Sequence, residues 1–237
     1  MIEEYKIKGD MLLNKKTEKG KIKKEYKEVK ETYNRSFPAK HYNLVRFLSF
    51  WLQDEKARAY AVQKLNLKSG DIVLNPACGP GFDFDYILPK IGVKGKVIAV
   101  DYSQHMLALA RKRARRRGWK NITFVQADAA KILWKNKFDA AVITLGLSVI
   151  PKWKTALRKI VAAVKPKGKI AIIDGKSPNI HLPLFNFLLK IFCHEICHLA
   201  SADCTRKIIQ EARIYLQKTK RKDFLFQGLY VLTGVKK

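Results

Sequence analysis

Five short apolar, β-branched runs punctuate the middle of the chain: DIVLNPACGPG from Asp71, KVIAVD from Lys96, ITFVQAD from Ile122, FDAAVITL from Phe138 and KIAIIDG from Lys169. Between them the hydrophobic spacing lengthens to that of helices, in FDFDYILPKIG, SQHMLALARKRARRRG and WKTALRKIVAAVKPKG. Strands alternating with helices predict parallel βαβ units, and runs that are apolar on both sides predict a sheet covered on both faces. The expected fold class is α/β, a doubly wound sheet whose ligand sits at the carboxyl ends of the strands. Upstream, YNLVRFLSFWLQ from Tyr42 is apolar at helical spacing and predicts a helix that buries one face. The first 30 residues are dominated by lysine and glutamate and read as a basic arm, a solvated helix or mobile and partly disordered.

Composition narrows the partners rather than the fold. The 237 residues carry 48 Lys and Arg against 20 acids, a formal net charge of +28, which attracts phosphate-rich partners such as nucleic acid or an anionic membrane surface. A generally lysine-rich surface is the plainer reading of the same charge. Four cysteines and no leader-like segment suit a reducing, cytoplasmic setting. The most apolar run, Leu182 to Ala200, is interrupted by Lys190, His194, Glu195 and His198, so it predicts no membrane span, though it suits peripheral contact with the inner face of a membrane.

Candidate chemistry gathers at the ends of the first three strands. Gly79 and Gly81 let the backbone approach a ligand where a side chain would collide. Asp101 closes the second strand, where a carboxylate can accept two ribose hydroxyls. Asp128 follows the third, within reach of an adenine amine. The G-x-G-x-x-G pattern of dinucleotide sites is broken after Gly81, because Asp83 or Phe84 stands where its third glycine belongs. An adenosine ligand without a pyrophosphate fits better.

The stretches VLNPACGPG, VIAVDYSQHMLALAR, FVQADAA, FDAAVITLGLSVIPKW and VKPKGKIAIIDG, in this order, resemble the class I S-adenosylmethionine-dependent methyltransferases. The resemblance implies a Rossmann-like, mostly parallel seven-stranded sheet with an antiparallel last strand, and S-adenosyl-L-methionine as cofactor. It implies cofactor contacts from Ala77, Cys78, Gly79 and Gly81 in the first loop, and from Asp101, Tyr102 and Met106 around the adenosine. Asp128 and Ala129 would meet the adenine, and Thr144 and Leu145 would form the inner wall. It divides residues 31–237, taken as a single domain, into a helical cap over 31–69, a cofactor-binding core over 70–175 and acceptor-side helices and final strands over 176–237. The family usually carries an acid where Asn75 stands and a glycine where Ala77 stands. Asn75 is expected to face the cofactor ammonium without the usual charge, so that Asn75→Asp would tighten binding; the alternative is that Asn75 points into the strand network, where the new charge would be buried at a cost.

Softer likenesses concern the methyl acceptor. TYNRSFPAKHYN, LGLSVIPKW, SADCTRK and FLFQGLYVLTG resemble segments of the phosphatidylethanolamine N-methyltransferases and the neighbouring quinone C-methyltransferases. They imply Tyr33 as a further cofactor contact and a lipid amine head group as first-choice acceptor. C- or O-methylation of a quinone precursor or another small molecule is the alternative. A further alternative, an RNA methyltransferase or nucleic-acid binder, rests on RKRARRRGWK from Arg111 to Lys120, which equally suits a solvated helix end. A non-catalytic cofactor-binding scaffold is the remaining one. Tyr33, His41 and Tyr42 are the polar residues expected near the methyl group, with no catalytic residue assigned.

One motif stands apart. CHEICH, from Cys193 to His198, contains H-E-x-x-H, but the next positions of the longer zinc motif hold Ser201 and Cys204. A structural zinc on Cys193, Cys197, Cys204, His194 and His198 is geometrically open, yet methyl transfer requires no metal. The expectation is a packed helix and no metal site.

Overall fold

The computed structural model describes residues 20, 22–28, 31, 53–175, 202–224 and 228–237. Residues 22–28 are helical. Helix α1 (Gln53–Leu65) leads into β1 (Ile72–Pro76), followed by α2 (Phe84–Ile91), β2 (Lys96–Asp101), α3 (Gln104–Arg116), β3 (Ile122–Gln126), β4 (Phe138–Thr144), α4 (Trp153–Ala163) and β5 (Val164–Gly175). The chain closes with α5 (Ala202–Tyr215), β6 (Leu216–Phe224) and β7 (Leu229–Lys236). The strands form one seven-stranded sheet in the order β3-β2-β1-β4-β5-β7-β6. β1 to β5 are parallel, and β7, the last strand in sequence, runs antiparallel to both neighbours, as the sequence predicts.

Successive strand residues alternate between two packed layers. Val73 on β1 and Val142 on β4 face α1, α2 and α3 through Ala57, Phe84, Ile87 and Leu107. Leu74 and Ile143 face the other side, against Leu157 and Ile160 of α4 and Ile208 of α5. This double burial is the reason the strands read as unbroken apolar runs.

Two boundaries differ from the sequence reading. VKPKG does not extend α4; it opens β5, with Val164 paired to Phe138 before a register shift. Pro166 has no amide hydrogen and cannot continue a helix, and Lys167 turns through a positive φ of 64°. β6, LQKTKRKDF, is a strand with mostly exposed positions, buried fully only at Leu216. It lies at the sheet edge, and its cations sit where free backbone groups would otherwise recruit another strand. The YNLVRFLSFWLQ run lies outside the described residues except for Gln53, as does the Leu182 to Ala200 run.

The chain steps outward from β1 to β2 and β3, then returns to the other side of β1 as β4. Connections therefore diverge at the carboxyl ends of β1 and β4, leaving a crevice there.

Candidate active site

The loop after β1 fills that crevice. Ala77, Gly79 and Gly81 all adopt left-handed backbone, with φ of 49°, 52° and 81°. A Cβ on Gly79 would meet nothing within 4 Å, so its bare face opens onto the cleft. A Cβ on Gly81 would stand 2.2 Å from the Phe84 ring, so this glycine lets the first turn of α2 close on the loop. The Cys78 amide donates to the Val100 carbonyl at 3.0 Å, tying the loop to β2. Burial, with Asp101 and Asp83 nearby, pushes the Cys78 thiol pKa well up, so the group stays protonated and inert.

Two acids stand at the ends of the next strands. Asp101 accepts the Gly79 amide at 2.8 Å on one oxygen and the Ser103 amide at 2.9 Å on the other. Each oxygen retains a lone pair, enough for a pair of vicinal hydroxyls. Burial raises the Asp101 pKa while these amides oppose the rise. Asp128 caps the short turn Ala129–Lys131, accepting the Ala130 amide at 2.8 Å. Its second oxygen is buried and has no partner among the described residues. The cleft between these groups, its solvent-open mouth included, holds about 930 Å³.

Behind the loop, the carboxylate of Asp83 gathers three elements. Arg58 of α1 bonds it, the Asn75 amide of β1 donates at 2.9 Å, and the Thr144 hydroxyl of β4 donates at 2.9 Å. Asn75 also donates to the Val142 carbonyl at 2.8 Å, and it is fully buried. Both of its neighbours are acceptors, which fixes the orientation of the amide. The Asn75 amide nitrogen is thus committed to Asp83 and the sheet, its oxygen is buried without a partner among the described residues, and the side chain stands behind the cleft rather than in its lining.

Of the residues singled out in the sequence, Ala77, Cys78, Gly79, Asp101, Tyr102, Met106, Asp128, Ala129, Thr144 and Leu145 all line the cleft. Asn75 and Gly81 shape its floor from behind. Tyr33, His41, Tyr42 and the CHEICH motif lie outside the described residues. Among the described residues no group of three or more His, Cys, Asp or Glu side chains is placed to hold a metal.

The sequence reading missed three contributors. Tyr26, from the lysine-rich arm, lines the cleft and packs its ring edge-on against Tyr102, centroids 6.1 Å apart. A lone aromatic among charges was the available signal. Arg58, only 4% exposed, reaches the cleft from α1, and Gly146 with Val149, Ile150 and Pro151 forms an apolar far wall. The basic run after β2 is partly committed to the protein itself. Arg113 bonds Asp85 and stacks 4.6 Å over Phe82, and Trp119 packs edge-on against Phe84 rather than standing free as a stacking platform. No helix among the described residues is long and apolar enough to cross a membrane.

This strand order, with a glycine-bent loop after β1 and acids after β2 and β3, is the frame of the class I S-adenosylmethionine-dependent methyltransferases. Within that class, the chain belongs to the ubiE/COQ5 methyltransferase family, whose model matches residues 19–217. A demethylmenaquinone methyltransferase of Lactococcus lactis subsp. lactis is 30% identical over 166 residues, 69% of this chain and 64% of that protein. The match thus spans slightly less than two thirds of the relative's length. Among solved structures, an S-adenosylmethionine-dependent methyltransferase from Aquifex aeolicus superposes with a TM-score of 0.62 at 22% identity, covering 85% of this chain and 100% of its own. A Haemonchus contortus phospholethanolamine N-methyltransferase 2, in complex with phosphomonomethylethanolamine and S-adenosylhomocysteine, superposes with a TM-score of 0.65 at 14% identity, covering 88% and 60%. At these identities the two structures attest the fold alone.

Proposed function

We propose that the protein transfers the methyl group of S-adenosylmethionine to a carbon of a reduced quinone precursor. The orphaned oxygen of Asp128, the open face of Gly79 and the bidentate Asp101 fit the adenosine part of that cofactor. Asp101 would hold the ribose, Asp128 the adenine amine, Tyr102 and Met106 the faces of the base, and the Ala77 to Gly81 loop the methionine arm. When bound, the cofactor supplies an electrophilic methyl group that needs no further activation. What remains for the protein is to position the acceptor in line and exclude water.

The observation that carries the choice of acceptor is the distribution of charge in the cleft. Among the described lining residues the acids are Asp101 and Asp128, both at the adenosine end, while the far wall is Leu145, Gly146, Val149, Ile150 and Pro151. An ammonium head group calls for an anion or an aromatic cage beside it, whereas a flat, neutral ring suits an apolar wall. Family membership and the demethylmenaquinone methyltransferase relative support the quinone reading over the lipid amine favoured by the sequence alone.

The test is a paired assay with labelled S-adenosylmethionine, offering reduced demethylmenaquinone or phosphatidylethanolamine vesicles. Label in the naphthoquinol alone is the expected result. Label in the vesicle lipid alone would restore the lipid amine reading, and label in neither would refute both.

A further inference from the structure

At the adenosine end of the cleft two buried polar atoms face unmet bonding. These are the second carboxylate oxygen of Asp128 and the hydroxyl of Tyr26, neither of which has a partner among the described residues. Buried polar atoms are almost always satisfied, so two on one cleft wall point to a ligand that completes them. The Asp128 carboxylate cannot turn away, because its other oxygen is held by the Ala130 amide at 2.8 Å. The Tyr26 ring is placed by its edge-on contact with Tyr102, at an interplanar angle of 67°, and not by its hydroxyl. Burial first, then the Asp128 carboxylate toward which the phenol can donate, push the phenol pKa up, so the hydroxyl keeps its proton; the two groups lie close together without reaching good hydrogen-bond geometry, which leaves the proton to be shared with a ligand edge.

The chemistry of the pair specifies its complement. A carboxylate only accepts, and a protonated phenol beside it donates. The matching ligand edge carries an N–H donor next to a ring-nitrogen acceptor, the arrangement of an amino group on a purine with either adjacent ring nitrogen. We propose that Tyr26 reads the adenine edge jointly with Asp128, so that helical residues 22–28 form a base-selective wall of the cofactor site. The inference rests on the reading that this cleft binds S-adenosylmethionine. A 6-oxo purine sets an acceptor against the carboxylate where the amino group stood, and on the N1 side it also sets a donor against the phenol, so it is disfavoured at this pair.

The experiment is calorimetry on the full chain with S-adenosylhomocysteine, its inosine counterpart and its 1-deaza and 7-deaza analogues. Tyr26→Phe, which keeps the ring against Tyr102, is expected to weaken S-adenosylhomocysteine binding about five- to tenfold. It should also narrow the preference for adenosine over inosine, with the melting temperature unchanged. On the unmodified protein, one of the two deaza analogues should lose a similar factor, which tests the contact without any substitution. Equal or tighter binding by Tyr26→Phe, or equal binding of both deaza analogues, would overturn the assignment while leaving the proposed function standing. Failure of the unmodified, folded protein to bind S-adenosylhomocysteine would instead overturn the cofactor reading, and this inference with it.

Discussion

Replacing Asn75 by aspartate separates the two readings of this position most sharply. Asn75 donates to Asp83 at 2.9 Å and to the Val142 carbonyl at 2.8 Å, inside the sheet. Asn75→Asp removes both donations, leaves the carbonyl buried without its partner, and sets a second carboxylate against Asp83. Two lost hydrogen bonds account for about 2 kcal/mol, and the orphaned carbonyl with the like-charge contact brings the total to roughly 3–5 kcal/mol at neutral pH. Arg58 offers no relief, since its guanidinium already contacts Asp54 and Asp83. Protonation of the introduced carboxyl would turn the repulsion into one hydrogen bond, so the loss should shrink in acid. Urea unfolding at neutral and acid pH measures this, and calorimetry with S-adenosylhomocysteine should show binding no tighter than that of the parent. An unchanged unfolding midpoint together with tighter binding would refute the orientation argued here and reinstate a ligand-facing Asn75.

Gly81→Ala should destabilise the protein by about 2–4 kcal/mol, because the new methyl would collide with the Phe84 ring at a backbone φ of 81°; a thermal midpoint within error of the parent would contradict this. Asp101→Ala and Asp128→Ala should each weaken S-adenosylhomocysteine binding at least tenfold, read by calorimetry, and retained affinity in both would refute the cofactor site. Asp174 is fully buried and burial raises its pKa from 3.8 to about 6, against donations from Ser148 and Gly175. Between those two values the folded state holds more protons than the unfolded one, so stability falls as pH rises through the window, by about 3 kcal/mol in total. Asp174→Asn removes that slope, so the stability difference between variant and parent should change from about pH 4 to about pH 7 in urea titrations; a constant difference would show that Asp174 does not titrate in this range.

The parallel core was legible because its strands are buried on both faces and its helices on one, and each period prints directly into the sequence. Gly79, Asp101 and Asp128 were legible because a ligand site at strand ends demands those chemistries at those places. β6 was not, since eight of its nine positions are not fully buried and carry no hydrophobic alternation; only pairing with β7 makes it a strand. Tyr26 was missed because its one local signal, an aromatic among charges, suits a tyrosine left in water on a lysine-rich helix as well as one that turns inward. Asn75 was placed on the right strand, but which way its amide nitrogen turns was not legible. Its direction is set by Asp83, Val142 and Thr144, partners 8 to 69 residues distant in sequence, of which Asp83 and Val142 receive its amide.

Ala77 and Gly146 belong to different loops, yet a Cβ on Gly146 would stand 2.6 Å from the Ala77 methyl. The space that one residue gives up is the space the other occupies. Across related chains, these two positions are thus free to enlarge only one at a time, and a larger residue at 146 requires a glycine at 77. A family member with side chains at both would have to hold its first loop in a different path.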